Sequence, residues 1–107
     1  MPAAVTDDPI LKRFRAALDA LYGDRIERVV LFGSRARGDA HEDSDYDIAV
    51  FLYDLTDYWR EADRIADIGT DILLDTREVI NALPFPAGTY NQRTGFMHEV
   101  RSDGIDL

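Results

Sequence analysis

The sequence predicts an α+β fold, a small mixed β-sheet flanked by helices. Three observations lead there. A length of 107 residues suits a single domain, spanning 1–107, around one modest core. Apolar residues alternate between helical spacing and short strand-like runs, in the order helix, strand, strand, helix, strand, strand, helix. Glycine or proline marks the boundaries at Gly23, Gly33, Gly69 and Pro84, with no internal repeat or linker. That order is expected to set the helices on one face of the sheet.

Residues 1–6 read as a frayed start. Asp7-Asp8-Pro9 then opens a helix, with an aspartate cap before a proline at the first helical position. Its stripe is Ile10, Phe14, Ala17, Leu18 and Leu21, and Gly23 ends it. Val29-Val30-Leu31-Phe32 is a central strand, broken by Gly33-Ser34, from which a short helix can start. A polar loop, Gly38 to Ser44, leads to a second strand, Asp45 to Leu52. Thr56 or Asp57 caps the next helix, which is expected to end near Ile68 and Gly69. Asp71-Ile72-Leu73-Leu74-Asp75 reads as a third strand and Val79 to Leu83 as a fourth, ended by Pro84 and Pro86. Residues 90–102 suit a last amphipathic helix, and Gly104 to Leu107 a tail.

Composition narrows the function. Twelve Lys and Arg against 21 Asp and Glu give a formal charge of −9, which repels phosphate backbones and argues against nucleic acid as the main partner. There are no cysteines, so disulfides and thiolate metal sites are excluded. The first residues lack the pattern of a signal peptide, and no apolar run reaches membrane-spanning length. A cytoplasmic protein without membrane contact is the simplest expectation.

The chemistry concentrates in one block. Asp45 and Asp47 lie two apart on a strand, so both carboxylates project to one face. Two carboxylates that close resist ionising together unless a cation lies between them, and oxygen ligands on a rigid strand suit Mg²⁺. Gly33 and Ser34 sit where the neighbouring strand opens into a helix, a turn whose N–H groups attract phosphate. Arg35 and Arg37 add positive charge nearby, for phosphate or for structural ion pairs. A third carboxylate would complete a two-metal site and could deprotonate an attacking hydroxyl. Asp71 is the first choice for it and Asp75 the second.

Gly33-Ser34-Arg35-Ala36-Arg37-Gly38, followed by Ser44-Asp45-Tyr46-Asp47-Ile48-Ala49-Val50, resembles the motif of the DNA polymerase β-like nucleotidyltransferase superfamily. Ten residues separate Ser34 from Asp45, within the spacing that the superfamily tolerates. The motif block covers 29–52, and a looser likeness runs from about residue 8 to the end. The small size resembles the minimal nucleotidyltransferase (MNT) domain, the antitoxin half of HEPT–MNT pairs. The resemblance implies a polymerase β-like palm fold, two Mg²⁺ ions, and ATP as the donor of AMP. It implies nucleotide binding by Gly33 and Ser34, with Arg35 and Arg37 beside them, and metal binding and catalysis by Asp45, Asp47 and Asp71. It implies a tyrosine of a HEPT-like helical toxin as acceptor. Two alternatives stand beside it: an antitoxin acting by complex formation alone, and an antibiotic-modifying nucleotidyltransferase completed by a partner subunit.

Outside the block, His41 reads as a solvated loop residue, Ser44 as a turn cap and Tyr46 as core. Tyr58 and Trp59 suit core or interface. The apolar stretch Leu83 to Tyr90 either packs beneath the last helix or, the favoured reading, meets a partner.

Overall fold

The computed structural model describes residues 7–41 and 43–107. The expected frayed start, 1–6, lies outside the described residues. Helix α1 (Pro9–Tyr22) begins as its sequence demands, with Asp8 accepting from the Ile10 N–H and Pro9 at the first position. A 3₁₀ turn, Gly23–Arg25, leads to β1 (Ile26–Phe32). Helix α2 is one turn, Ser34–Arg37, and β2 is Tyr46–Leu52. Then come α3 (Tyr58–Thr76), β3 (Ile80–Pro86), α4 (Gly95–Asp103) and β4 (Ile105–Asp106).

The sheet order is β3-β2-β1-β4. It is mixed: β1 runs antiparallel to β2 and β4, while β2 and β3 are parallel. The alternation of side chains splits the core in two. Val29, Leu31, Tyr46, Ile48, Val50 and Leu52 pack against α1 and α3. Val30, Ala49 and Phe51 pack on the opposite face against Met97 and Val100 of α4. Helices therefore cover both faces, where the sequence suggested one.

The largest departure from expectation is residues 71–75. They form no strand; α3 runs straight through Gly69 to Thr76. The apolar pair Leu73-Leu74 mimics a strand locally, but Ile65, Gly69 and Ile72 continue a buried stripe at helical spacing, and tertiary packing decides. Gly69 is buried mid-helix against Ile80 of β3 rather than ending the helix. The fourth strand of the sheet is instead the C-terminal Ile105–Asp106, expected to be a tail.

β3 also runs through Pro84, which was expected to help end it, and stops at Pro86. The reason lies in its position at the sheet edge. The Tyr46 N–H donates to Val79 O and the Ala87 N–H to Leu52 O, so the odd-numbered residues face β2. The prolines occupy the even, outward positions, where no ladder donor is needed and where they protect the edge from stray pairing. Helix α4 starts later than expected, at Gly95, after Thr94 caps it through the Met97 N–H.

Ile72 is the residue that fixes α3 as a helix over this stretch. Ile72→Ala should cost about 2–5 kcal/mol in chemical denaturation, the range for truncating a buried aliphatic side chain. A change below about 1 kcal/mol would contradict the assigned packing.

Candidate active site

β1 and β2 bring the motif together at one end of the sheet. Phe32 pairs with Asp47, so Gly33, the next residue, lies against the Asp47 carboxylate. A Cβ built on Gly33 would sit 2.5 Å from Asp47 Oδ2. Gly33 also has φ +76° and ψ −160°, backbone that is nearly exclusive to glycine. Both facts require glycine here. Ser34 then opens α2, and its hydroxyl makes no hydrogen bond among the described residues. The turn behind it is closed by the Ala36 and Arg37 N–H groups donating to Gly33 O.

Asp47 is half-buried in a strand otherwise fully buried, and Asp45 is exposed just before it. Burial raises the Asp47 carboxyl above the ordinary carboxylate range, and the Asp45 charge raises it further. The Asn81 amide and Arg37 oppose that rise. Asn81 lies opposite Asp47 on β3, and its Nδ2 donates to Asp45 Oδ2 at 2.8 Å. A glycine cradle facing hard oxygen donors, strained by like charge, fits a divalent cation.

The structure does not bring every sequence candidate here. Asp71 is exposed on α3, the helix packed on the opposite face of the sheet from Asp45 and Asp47. Asp75 lies on the same helix and pairs with Arg13 of α1 at 2.6 Å. Both expectations depended on a strand that is a helix. Arg35 also faces away. Its Nε donates to Ser44 O at 2.7 Å, its guanidinium lies 4.0 Å over the Tyr46 ring, and it pairs with Glu78. It fastens the loop before β2 and the α3–β3 connection rather than reaching the carboxylate face. Arg37 stays close enough to lower the Asp47 carboxyl, while its side chain bridges Asp39 and Asp103.

The remaining candidates fall simply. His41 is exposed and its N–H donates to Ser44 Oγ, which makes Ser44 a turn cap. Tyr46 is buried and its hydroxyl donates to Asp8, joining β2 to the start of α1. Trp59 is 75% exposed and stacks edge-on with Tyr58, so neither is a core anchor.

Sequence reasoning missed two features. Asn81 was the first. It is the polar residue inside an apolar strand, Val79 to Leu83, and that interruption was its signal. The second is a cavity of about 570 Å³ that opens beside Asp47 and Asn81, with Phe32, Leu83, Phe85 and Phe96 on its walls. Phe96 stacks against both Phe32 and Phe85 yet remains 44% exposed. No helix among the described residues is long and apolar enough to cross a membrane.

Comparison with known proteins gives the family and the fold. The family model described as "Nucleotidyltransferase domain" matches residues 11–97. Two proteins of Methanocaldococcus jannaschii are similar over most of their length. "Putative protein adenylyltransferase MJ0604" is 35% identical over 89 residues, 83% of each chain. "Putative protein adenylyltransferase MJ0141" is 29% identical over 98 residues, 92% of this chain and 95% of that one. The fold is shared with a crystal structure of a toxin–antitoxin with AMP-PNP, at TM-score 0.59 and 20% identity, covering 87% of this chain and 68% of that one. It is shared also with a mutant of the toxin–antitoxin MntA-HpeT, at TM-score 0.61 and 20% identity, covering 90% of this chain and 70% of that one.

Two substitutions test the site as built. Gly33→Ala should cost about 1–3 kcal/mol from backbone strain alone and should weaken divalent-cation binding by displacing Asp47. Thermal melts and Mn²⁺ titration read the two effects separately. Asp47→Asn should raise the metal-free melting temperature at neutral pH. The folded-state carboxyl is raised, so its ionisation costs stability as pH climbs through the carboxylate range, and the amide removes that cost. An unchanged or lower melting temperature would contradict the strained pair.

Proposed function

We propose, from the premise that this chain belongs to the nucleotidyltransferase domain family, that it transfers AMP from ATP to a protein hydroxyl. The acceptor we favour is a tyrosine of a HEPT-like toxin, with the chain as its antitoxin. The observation that carries the reading is the meeting of Gly33-Ser34 with Asp45 and Asp47 at one sheet end, directly beside the aromatic cavity. The names of the two related proteins support protein as the acceptor, and the nucleotide-bound toxin–antitoxin shares the fold.

Each group then has a task. Gly33 leaves room for the Asp47 carboxylate at the turn, and the Ser34 hydroxyl, without a partner among the described residues, can donate to a phosphate oxygen. Asp45 and Asp47 would hold Mg²⁺, which when bound supplies charge neutralisation and polarises the phosphate under attack. Arg37 adds positive charge on the same side. The phenylalanine walls of the cavity accept a flat ring, the base or the acceptor side chain, and exclude water from the reacting end. Leu83 and Phe96, both more than 40% exposed at its rim, offer an apolar landing for the partner that presents the acceptor.

One observation favours a second reading, an antitoxin that acts by complex formation alone. Position 81 carries an amide where a third carboxylate would complete the metal site. The test separates the two. α-Labelled ATP, Mg²⁺ and the cognate partner should yield labelled partner. Asp47→Asn should reduce labelling at least about 100-fold, because losing even a ligand's supporting hydrogen bond costs about 10–100-fold. Toxin neutralisation that survives Asp47→Asn unchanged, without label, would establish the second reading instead.

A further inference from the structure

We infer that this site binds one divalent cation rather than two, and that Asn81 sets that number. The inference rests on the nucleotidyltransferase reading and departs from its two-ion form. β3 is parallel to β2 and in register with it, so Asn81 sits directly opposite Asp47 and shares its face. A third oxygen ligand from the neighbouring strand would have to stand there. The residue present is an amide whose Nδ2 donates to Asp45 Oδ2 at 2.8 Å. A carboxylate oxygen can only accept, so the amide must turn its donor to Asp45. The contact occupies one lone pair of an Asp45 oxygen and offers a second cation no negative charge.

Charge completes the argument. Two carboxylates balance one divalent ion, and Arg37 already contributes positive charge at Asp47. No group of three or more His, Cys, Asp or Glu side chains suited to a metal gathers among the described residues. Asp71 and Asp75 lie with α3 on the other side of the sheet. A second cation would therefore have no protein carboxylate of its own and would rest on the nucleotide's phosphates alone. The same amide benefits the empty site, because a third carboxylate would add like charge to a pair already strained.

Mn²⁺ binding to the full chain, followed by electron paramagnetic resonance with equimolar α,β-methylene ATP, tests this without turnover. The wild type should hold one Mn²⁺ per chain and show no spin-coupled pair. Asn81→Asp should gain a second Mn²⁺ and the coupled signal, and should melt lower without metal. Asn81→Ala, which adds no charge, should stay at one and controls for folding. Two Mn²⁺ in the wild type, or one in a folded Asn81→Asp, would overturn the inference and leave the family reading intact. A wild type that binds neither Mn²⁺ nor nucleotide would overturn both.

Discussion

A carboxylate held near the start of a hydrophobic strand governs this molecule. Every residue of β2 is buried except half-buried Asp47, and the strand lies between β1 and β3 with helices on both faces. Burial and the neighbouring Asp45 charge both work against its ionisation. Much of the nearby structure accommodates that one group. Gly33 has no side chain because Asp47 Oδ2 occupies the space. Asn81 turns a donor toward the pair. Arg37, tied to Asp39 and to Asp103 at the end of α4, adds positive charge. The result is a rigid anionic corner whose strain a cation would relieve.

The other face of the sheet supplies the rigidity. Tyr46, one residue from each carboxylate, points the opposite way into the α1 and α3 core. Its hydroxyl bonds the Asp8 cap of α1, and its ring lies under Arg35, which in turn fastens Ser44 and Glu78. The strand entrance is thus held from behind by α1, by the loop before β2 and by the α3–β3 connection. A pair of carboxylates on a floppy strand would separate to relieve their repulsion. Here the alternation of side chains couples the position of the pair to a packed aromatic ring.

What could be read from the sequence follows from range. Gly33-Ser34 and Asp45-Tyr46-Asp47 were legible because their chemistry depends on neighbours in sequence: a break after an apolar strand, and alternation along one strand. The Asp8-Pro9 cap was legible for the same reason. Asp71-Ile72-Leu73-Leu74-Asp75 was misread because an apolar run of that length suits either a strand or a helix. Only Ile72 packing in line with Ile65 decides, and that is a tertiary fact. The error carried Asp71 and Asp75 into the site. Arg35 took the structural ion-pair alternative, a choice that sequence leaves open because it gives distance from the glycine turn and not the side of the sheet. Asn81 was overlooked because its meaning depends on the parallel register of β3 with β2.

The same register explains why the site is unfinished on one side. β3 is an edge strand, and the prolines at 84 and 86 close its outer rim without adding a neighbour. The cavity there is bounded by Leu83 and Phe85 of β3, Phe96 of α4 and Ile65 and Ala66 of α3, and its Leu83–Phe96 rim is exposed and apolar. A nucleotide would meet backbone, hydroxyl and carboxylate groups at the sheet end, where β1 and β2 hold them in register. An acceptor cannot be gripped to the same degree, since the wall that would orient it is open and apolar. With a net charge of −9, a long-range field will not select an anionic acceptor either. Shape and apolar contact at that open wall are what the chain itself offers an acceptor.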